Sequence, residues 1–284
     1  MTSLIVSHYS LAGAAPPALP TNTFAARVEA AARAGFAGIG LVTWDYRAMR
    51  RKGVAPEELQ DVLAGHALRV EEVELLTGWL EQPLHRQPSA LDERQALVWE
   101  MVERFRPHHV IAGDAPPTSR KIEVKEVAKS FRALCDRAAD VGVLVGIEFV
   151  PGTALPDLGT AAAVVETADR SNGGVLIDIF HFVRGGGKAD DLLGLSCPIV
   201  GVQLSDHGPR RVDVSHFDEW RYGGLVPGSG DLPIVDVVRA IDHVTPRLPY
   251  SVEVLAPGLW ALGPIAAAES LARATRAVLA AARS

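Results

Sequence analysis

Residues 143–187, VLVGIEFVPGTALPDLGTAAAVVETADRSNGGVLIDIFHFVRGGG, contain the pattern that decides the fold. An apolar run, Val143–Phe149, is followed by an Ala-rich amphipathic segment from about Asp157 and by a second apolar run, Val175–Ile179. Short runs rich in Val and Ile favour strands, and longer amphipathic segments favour helices. The stretch therefore predicts a strand, a helix and a second strand, the unit from which parallel sheets are built.

The same alternation continues along all 284 residues of the chain. It predicts eight strands, at Leu4–His8, Phe36–Val42, Arg69–Leu76, His109–Ala112, Val143–Phe149, Val175–Ile179, Ile199–Leu204 and Tyr250–Leu255. The helices between them are expected from about Asn22, from Pro56, at Ser89–Phe105, at Ile122–Ala139, from Asp157, near Ala189, at Leu232–His243 and at Pro264–Ala281. Eight such units without a glycine-rich dinucleotide loop favour an α/β fold, a (β/α)8 TIM barrel, over an open doubly wound sheet. The length suits a single barrel domain over residues 1–284.

The composition argues against several kinds of partner. The net charge is −6 and the Lys and Arg residues are scattered, so no basic stripe is available for nucleic acid. No run approaches the roughly 18 apolar residues of a membrane span, and the N-terminus has no basic signal region. We therefore expect a soluble cytoplasmic protein. The two cysteines, Cys135 and Cys197, have neither the spacing of a disulfide framework nor that of a metal site.

Polar residues near the ends of the last four predicted strands mark the candidate site. Glu148, Asp178, Gln203 and Glu253 each lie among apolar neighbours on strands five to eight. In a TIM barrel the reacting groups come from the C-terminal ends of the strands. A buried carboxylate is costly unless a cation or partner compensates it, and a salt bridge to Arg or Lys is the alternative for any single one. Three carboxylates at one mouth, with oxygen donors and no cysteine, predict one divalent ion, most simply Mn²⁺ or Mg²⁺, with Co²⁺ or Zn²⁺ as alternatives.

Further polar residues lie just beyond these strands. His181 follows Asp178 by three residues and is a candidate for contact with a substrate oxygen or the metal. Arg184 suits an anionic or hydroxyl-rich ligand, or a solvated helix start. His207, four residues after Gln203, is an alternative metal ligand in the Gly- and Pro-rich segment up to residue 231, which is too long for a simple connection and is expected to cover the site.

Aromatic residues follow several strands as well. Trp44, Trp79 and Trp260 come after predicted strands two, three and eight. Each is a candidate for an apolar wall against which one face of a sugar packs, with packing in the core as the alternative. His8, at the end of strand one, is a comparable candidate for substrate binding.

Four stretches of the chain resemble a known family. They are residues 146–187, VGVQLSD (200–206), PGSGDLPI (227–234) and YSVEVL (250–255), and they resemble the xylose-isomerase-like TIM-barrel superfamily, the sugar phosphate isomerase/epimerase group. The likeness spans about residues 142–256; the N-terminal half shares only the alternation of strands and helices. The resemblance implies that Glu148, Asp178, Gln203 and Glu253 bind one divalent metal, with Gln203 where many members have His. It also implies that His181 and an arginine, one of Arg210, Arg211 or Arg221, contact the substrate.

The activity implied by the resemblance is that of a metal-dependent isomerase or epimerase of carbohydrate metabolism. Its substrate is expected to be a small polyhydroxy carbonyl compound, a sugar or keto-cyclitol, with Glu148 and Glu253 transferring protons through an enediolate. The main alternative is a dehydratase, a lyase acting on a keto-inositol or dehydroshikimate-like ring. An endonuclease IV-like hydrolase and a non-catalytic sugar-binding protein are further alternatives, and assembly into a homo-oligomer is left open.

Overall fold

Eight parallel strands close into a barrel in the computed structural model, which describes residues 3–81, 90–114, 121–210 and 212–284. The strands are β1 Leu4–Val6, β2 Gly38–Val42, β3 Arg69–Leu76, β4 His109–Ala112, β5 Leu144–Glu148, β6 Gly173–Asp178, β7 Ile199–Leu204 and β8 Tyr250–Val252. Each pairs with its neighbour in the chain, and β8 pairs with β1 to close the ring. The predicted (β/α)8 fold is confirmed.

Helices surround this barrel and also cap its C-terminal end. They are α1 His8–Ala12, α2 Phe24–Ala34, α3 Thr43–Arg51, α4 Pro56–Ala64, α5 Ala90–Phe105, α6 Val124–Ala139, α7 Leu158–Ala168, α8 Ile179–Arg184, α9 Ala189–Leu193, α10 His216–Tyr222, α11 Ile234–Val244, α12 Pro257–Trp260 and α13 Gly263–Arg283. The predicted start of α5 at Ser89 lies outside the described residues. No helix within the described residues combines the length and apolar character that crossing a membrane requires.

The first and last strands are shorter than the sequence pattern predicts. The strand predicted over Leu4–His8 ends at Val6, because the Ser7 side chain accepts the Tyr9 N–H and caps a short helix instead. His8 therefore lies on α1 and not on a strand. The last strand ends at Val252, so Glu253 directly follows it.

The inside of the barrel carries a polar layer below the mouth. Glu72 on β3 accepts a hydrogen bond from Ser251 on β8 across the barrel at 2.7 Å, and its other carboxylate oxygen lies 3.8 Å from His109 Nε2 on β4. Glycines make this possible: a Cβ at Gly40 would lie 2.6 Å from the Glu72 carboxylate, and one at Gly201 would lie 2.9 Å from the His109 ring. The barrel is thus packed with side chains rather than open.

The segment after β7 is folded rather than loose. A two-residue ladder pairs Asp206–His207 with Gly224–Leu225, and α10 lies between these two strands. The Asp206 carboxylate accepts backbone N–H bonds from Gly228, Gly230 and Leu232, at 2.8 to 3.1 Å. Asp206 therefore organises this segment.

Candidate active site

The four predicted late-strand residues lie at one side of the barrel mouth. Glu148 and Asp178 end β5 and β6, Gln203 lies in β7, and Glu253 follows β8. These strands are consecutive neighbours in the ring, so their ends converge. Gln203 Nε2 donates to Glu253 Oε1 at 3.1 Å. Glu148, Asp178 and His181 offer ligand atoms that lie within 4.8 Å of one another, the spacing that one metal ion requires.

A helix cap fixes the relative positions of Asp178 and His181. The Asp178 carboxylate accepts the His181 N–H at 2.8 Å and so caps α8, which begins at the next residue. This places the His181 ring beside β5, with Nε2 3.8 Å from Glu148 Oε1. The opposite ring nitrogen, Nδ1, lies 2.8 Å from Nε2 of His216 on α10. The three-residue spacing in the sequence thus has a local structural cause.

Burial dominates the electrostatics of this cluster. It raises the pKa of Glu148 to about 8, assisted by the charges of Asp178 and Glu72, and the pKa of Asp178 to about 7. Burial also raises the pKa of Glu253 well above its usual value, and the nearby carboxylates add to that shift. Within the described chain, no Lys or Arg forms an ion pair with any of these three carboxylates. His181 offers no positive charge near neutral pH, because burial lowers its pKa to about 3.

The residues present fit a divalent cation. Gln203 Oε1 is a buried acceptor with no hydrogen-bond partner among the described residues. Buried acceptors are nearly always satisfied, and carboxylates crowded together favour either protons or a cation. Three carboxylates, an amide oxygen and a neutral imidazole are donors that Mn²⁺, Mg²⁺ or Zn²⁺ accepts. In the described part of the chain, the group that could share one ion contains a single histidine, unlike the many-histidine cluster that an endonuclease IV-like hydrolase needs.

A cavity of about 220 Å³ opens beside the cluster. Glu148, Glu253 and His181 lie in its wall, together with Glu74 on β3 and Arg221 on α10. The volume is below the roughly 300–1,000 Å³ of pockets for drug-sized ligands, so the cavity suits a small molecule.

Aromatic rings form one side of this cavity. The Tyr9 ring lies 5.6 Å from the rings of both Trp44 and Trp220, and all three residues line the cavity. Trp44 therefore lies beside the cavity, as its position after strand two predicts. Trp79 packs in the core and donates to the Gly113 carbonyl. Trp260 does not line the cavity but donates to the backbone carbonyl of Tyr9, which does.

The candidate arginines lie in different surroundings. Arg221 lines the cavity, and its Nε has no hydrogen-bond partner among the described residues. Arg184 is bound by its neighbours: its guanidinium donates to Glu219 Oε1 at 2.6 and 2.9 Å and to the Gly208 carbonyl at 2.7 Å. It thereby joins α8 to the segment after β7. Arg210 is exposed, and Arg211 lies outside the described residues.

His8 and His207 are buried, and neither lines the cavity. His8 Nδ1 lies 2.8 Å from an Arg27 nitrogen, and Arg27 also binds Asp45. The His207 ring stacks on Phe180 with centroids 4.0 Å apart, and it is not part of the group formed by Glu148, Asp178 and His181. The structure does not bring these two histidines to the cavity.

Sequence reasoning missed several cavity residues, among them Tyr9, Trp220 and Glu74. Tyr9 and Trp220 belong to short helices that the periodicity did not predict. Glu74 lies in a strand with the sequence RVEEVELL, in which it and Glu72 are two residues apart and so share one face. That spacing is the signal that identifies an inward-facing pair.

A closed barrel with clustered carboxylates at the C-terminal ends of its strands defines a class of TIM-barrel proteins. A scan against protein-family models matches residues 28–281 to the xylose isomerase-like TIM barrel family. The chain belongs to this family. A search of curated protein sequences returns no match.

Solved structures of the same fold include proteins with several described activities. An IolI protein with a binding zinc atom aligns with a TM-score of 0.79 at 19% identity, covering 99% of this chain and 98% of that one. A probable 3-DHS dehydratase, AsbF of Bacillus anthracis, aligns with a TM-score of 0.70 at 16% identity, covering 94% and 97%. D-allulose 3-epimerase of Methylomonas sp. in complex with D-allulose aligns with a TM-score of 0.70 at 15% identity, covering 97% and 96%. At these identities the likeness shows the fold alone.

Proposed function

We propose that the protein is a divalent-metal-dependent isomerase or epimerase of a small polyhydroxy carbonyl compound. The observation that carries the proposal is the group of three carboxylates, Glu148, Asp178 and Glu253, which have no cationic partner among the described residues. Asp178 and Glu253 are buried, and Glu148 and Glu253 line a small cavity. A site that holds ionisable groups at raised pKa values beside a cavity is typical of catalysis.

The residues that would hold the metal are Glu148, Asp178, Gln203 and Glu253, with His181 in reach of the first two. The oxygen-rich donor set favours Mn²⁺ or Mg²⁺, and the zinc atom described for the IolI structure supports a divalent ion in a barrel of this fold. When bound, such an ion supplies positive charge that polarises a carbonyl group and stabilises an enediolate.

Glu148 and Glu253 are proposed to transfer protons at substrate carbon. β6 and β7 separate their strands in the ring, so the two carboxyl groups reach the cavity from different sides. A pKa near the working pH lets a carboxyl group both accept and return a proton, and burial moves the pKa of both residues in that direction. Return of the proton to the opposite face gives epimerisation, and return to the adjacent carbon gives isomerisation.

The remaining cavity residues are proposed to recognise the substrate. Tyr9, Trp44 and Trp220 offer apolar ring surface to the C–H face of a sugar or cyclitol. Arg221, with a donor that no described residue accepts, is proposed to bind a substrate oxygen. The D-allulose complex of an epimerase with this fold supports a sugar-like ligand.

Dehydration of a keto-cyclitol or dehydroshikimate-like ring is the second candidate. The additional buried carboxyl group of Glu74 in the cavity favours it, because expulsion of a hydroxyl group requires a proton donor. The dehydratase among the structural matches supports the same reaction class.

Metal analysis combined with proton exchange tests the proposal. The purified protein is assayed for Mn, Mg, Co, Zn and Fe, and loss of the α-proton signal is followed by NMR in D2O with ketoses, keto-inositols and dehydroshikimate. We expect one divalent ion per chain and exchange on one member of the panel, with the product separating epimerase, isomerase and dehydratase. Metal-replete protein that exchanges no proton on any member would contradict the proposed function.

A further inference from the structure

Glu74 faces the metal-ligand candidates from across the barrel mouth. The strands that carry those candidates, β5 to β8, are consecutive in the ring, and β3 lies opposite β7. β4 separates β3 from β5 on one side, and β1 and β2 separate it from β8 on the other. Glu74 nevertheless lines the same cavity as Glu148 and Glu253. A substrate in the cavity can therefore contact Glu74 as well as the metal-ligand candidates Glu148 and Glu253.

A shared hydroxyl group lies between the carboxyl groups of Glu74 and Glu253. Ser7 Oγ lies 3.0 Å from Glu253 Oε1 and 3.4 Å from Glu74 Oε1, and a hydroxyl group has one proton to donate. No Lys, Arg or His among the described residues forms an ion pair with Glu74. The single Ser7 proton can be donated to only one of the two carboxyl groups, so the other carboxyl group is open to a hydrogen bond with a substrate. Burial and the charge of Glu72 raise the pKa of Glu74, which supports a role in proton transfer.

We propose that Glu74 is a catalytic residue that exchanges protons with substrate oxygen, whereas Glu148 and Glu253 exchange protons with substrate carbon. The inference rests on the proposed function and deepens it. Glu74 suits this role because it lines the cavity and lies on β3, apart from the four consecutive strands that carry the proposed metal ligands. Its carboxyl group can therefore contact the substrate itself.

The proton balance of isomerisation shows what Glu74 does. Glu253 or Glu148 removes the carbon-bound proton, and the C–H electron pair forms the double bond of the enediolate. Glu74 gives its proton to the former carbonyl oxygen and takes the proton of the neighbouring hydroxyl group, which becomes the new carbonyl. The carbon proton is then returned to the adjacent carbon. No oxidant or reductant is consumed.

In dehydration the same residue assists the leaving group. Glu74 gives its proton to the β-hydroxyl group, which departs as water with the C–O electron pair, while the electron pair of the broken C–H bond forms the C=C bond. Glu74 then regains a proton from solvent. Epimerisation at one carbon needs no net proton transfer at oxygen, so the inference favours isomerisation or dehydration over epimerisation.

Glu72 provides a matched control for Glu74. It lies two residues earlier on the same strand and faces the same way, and both side chains are buried, at 0% and 4% exposure. Glu72 binds Ser251 inside the barrel and does not line the cavity. Glu72→Gln makes the same chemical change one layer below the site.

The test compares wild type, Glu74→Gln and Glu72→Gln by three measurements: Mn²⁺ titration, α-proton exchange in D2O and product formation. In Glu74→Gln we expect unchanged Mn²⁺ affinity, persistent exchange and a fall in product formation of about 10²-fold or more. Because Glu72 lies outside the cavity, Glu72→Gln should lower product formation far less than Glu74→Gln does. Circular dichroism establishes that both variants fold.

Each of the other outcomes contradicts the inference and assigns a different role to Glu74 or to the site. Wild-type product formation by Glu74→Gln would overturn it, and loss of Mn²⁺ affinity would make Glu74 a metal ligand instead. Loss of exchange together with product formation would assign Glu74 to the carbon proton. If wild type itself exchanges no proton on any panel member, the proposed function fails and the inference fails with it.

Discussion

The two halves of the barrel mouth are built differently. On the half formed by β5 to β8, the candidate ligands Glu148, Asp178 and Gln203 belong to the strands themselves. On the half formed by β1 to β4, Glu74 reaches the cavity from a strand, whereas Tyr9 and Trp44 line it from helices that follow the strands. Strand residues are fixed by the hydrogen bonds of the barrel, whereas helix residues depend on side-chain packing. The difference suggests that the first half holds a metal, which requires close geometry, and the second half recognises a substrate.

Substitution of Asp178 tests most directly whether the half formed by β5 to β8 binds a metal. Asp178→Asn keeps the side chain able to cap α8, because Asn is as good a cap as Asp, but it removes a charged ligand. We expect a folded protein whose Mn²⁺ affinity falls by about 10²-fold or more and whose turnover is lost. Calorimetric titration with Mn²⁺ measures the first effect. Asp157→Asn makes the same change at the exposed cap of α7 and should leave Mn²⁺ binding intact; equal affinities in the two variants would remove Asp178 from the metal site.

Glu253 combines metal binding with proton transfer, so its substitution should affect both. We expect Glu253→Gln to remain folded, to bind Mn²⁺ more weakly and to lose about 10²- to 10⁴-fold in turnover, because an amide cannot accept the carbon proton. Exchange of the α-proton in D2O should be lost with it. Glu269→Gln, on the exposed surface of α13, is the control. Undiminished turnover in Glu253→Gln would exclude the proposed role.

Gln203 and His207 are rival ligands after β7, and the structure favours the first. Gln203 Oε1 has no partner among the described residues, while the His207 ring is stacked on Phe180. We expect Gln203→Ala to weaken Mn²⁺ binding by about tenfold and His207→Ala to weaken it less. Side-by-side titration of the two variants measures the difference. The reverse order would move the ligand into the segment after β7.

The fold was predictable because the same pattern, an apolar strand followed by an amphipathic helix, recurs along the chain. Apolar strands buried between helices and the barrel interior recur eight times, and their order and positions are as predicted. Strands two, five and six differ from their predicted bounds by one or two residues at an end, and strands one and eight end two and three residues early. At strand one the chain continues as a strand-like pattern as far as His8, and the cap that the Ser7 side chain provides for the Tyr9 N–H ends the strand.

The site was predictable on one half of the mouth only. A carboxylate at the end of an apolar strand, such as Glu148 or Asp178, is costly enough to indicate function from sequence. Glu74 has acidic neighbours, so its charge is not exceptional in sequence and only its register separates it from the partly exposed Glu71. Trp220 lies on α10, whose position over the mouth depends on tertiary contacts, such as that between Arg184 and Glu219, that no local pattern encodes.

Metal-free protein should lose stability as the pH rises. Burial raises the pKa of Glu148 to about 8 and those of Asp178 and Glu72 to about 7, so the folded state binds protons more tightly than the unfolded state. This contribution is fully present below about pH 4 and is lost as the pH rises through 7 to 8. With EDTA we expect Tm to fall between about pH 5 and 8, by roughly 2–4 °C for each kcal/mol lost. Saturating Mn²⁺ should reduce that fall, because the ion replaces the protons. Equal Tm values at both pH values without metal would show that the carboxylates are compensated in another way.

The smallest effect is expected on the aromatic side of the mouth. Trp44→Phe keeps a ring against Tyr9 but removes a buried indole N–H that has no acceptor among the described residues. We expect a ligand in the cavity to accept a hydrogen bond from it. Loss of one neutral hydrogen bond of about 1 kcal/mol corresponds to about a fivefold increase in KM, with kcat nearly unchanged. Trp99→Phe, in the core on α5, should lower Tm without changing KM. A fall in kcat with constant KM for Trp44→Phe would mean that the aromatic side acts in the transition state, and the division between a metal-binding half and a substrate-recognition half would no longer hold.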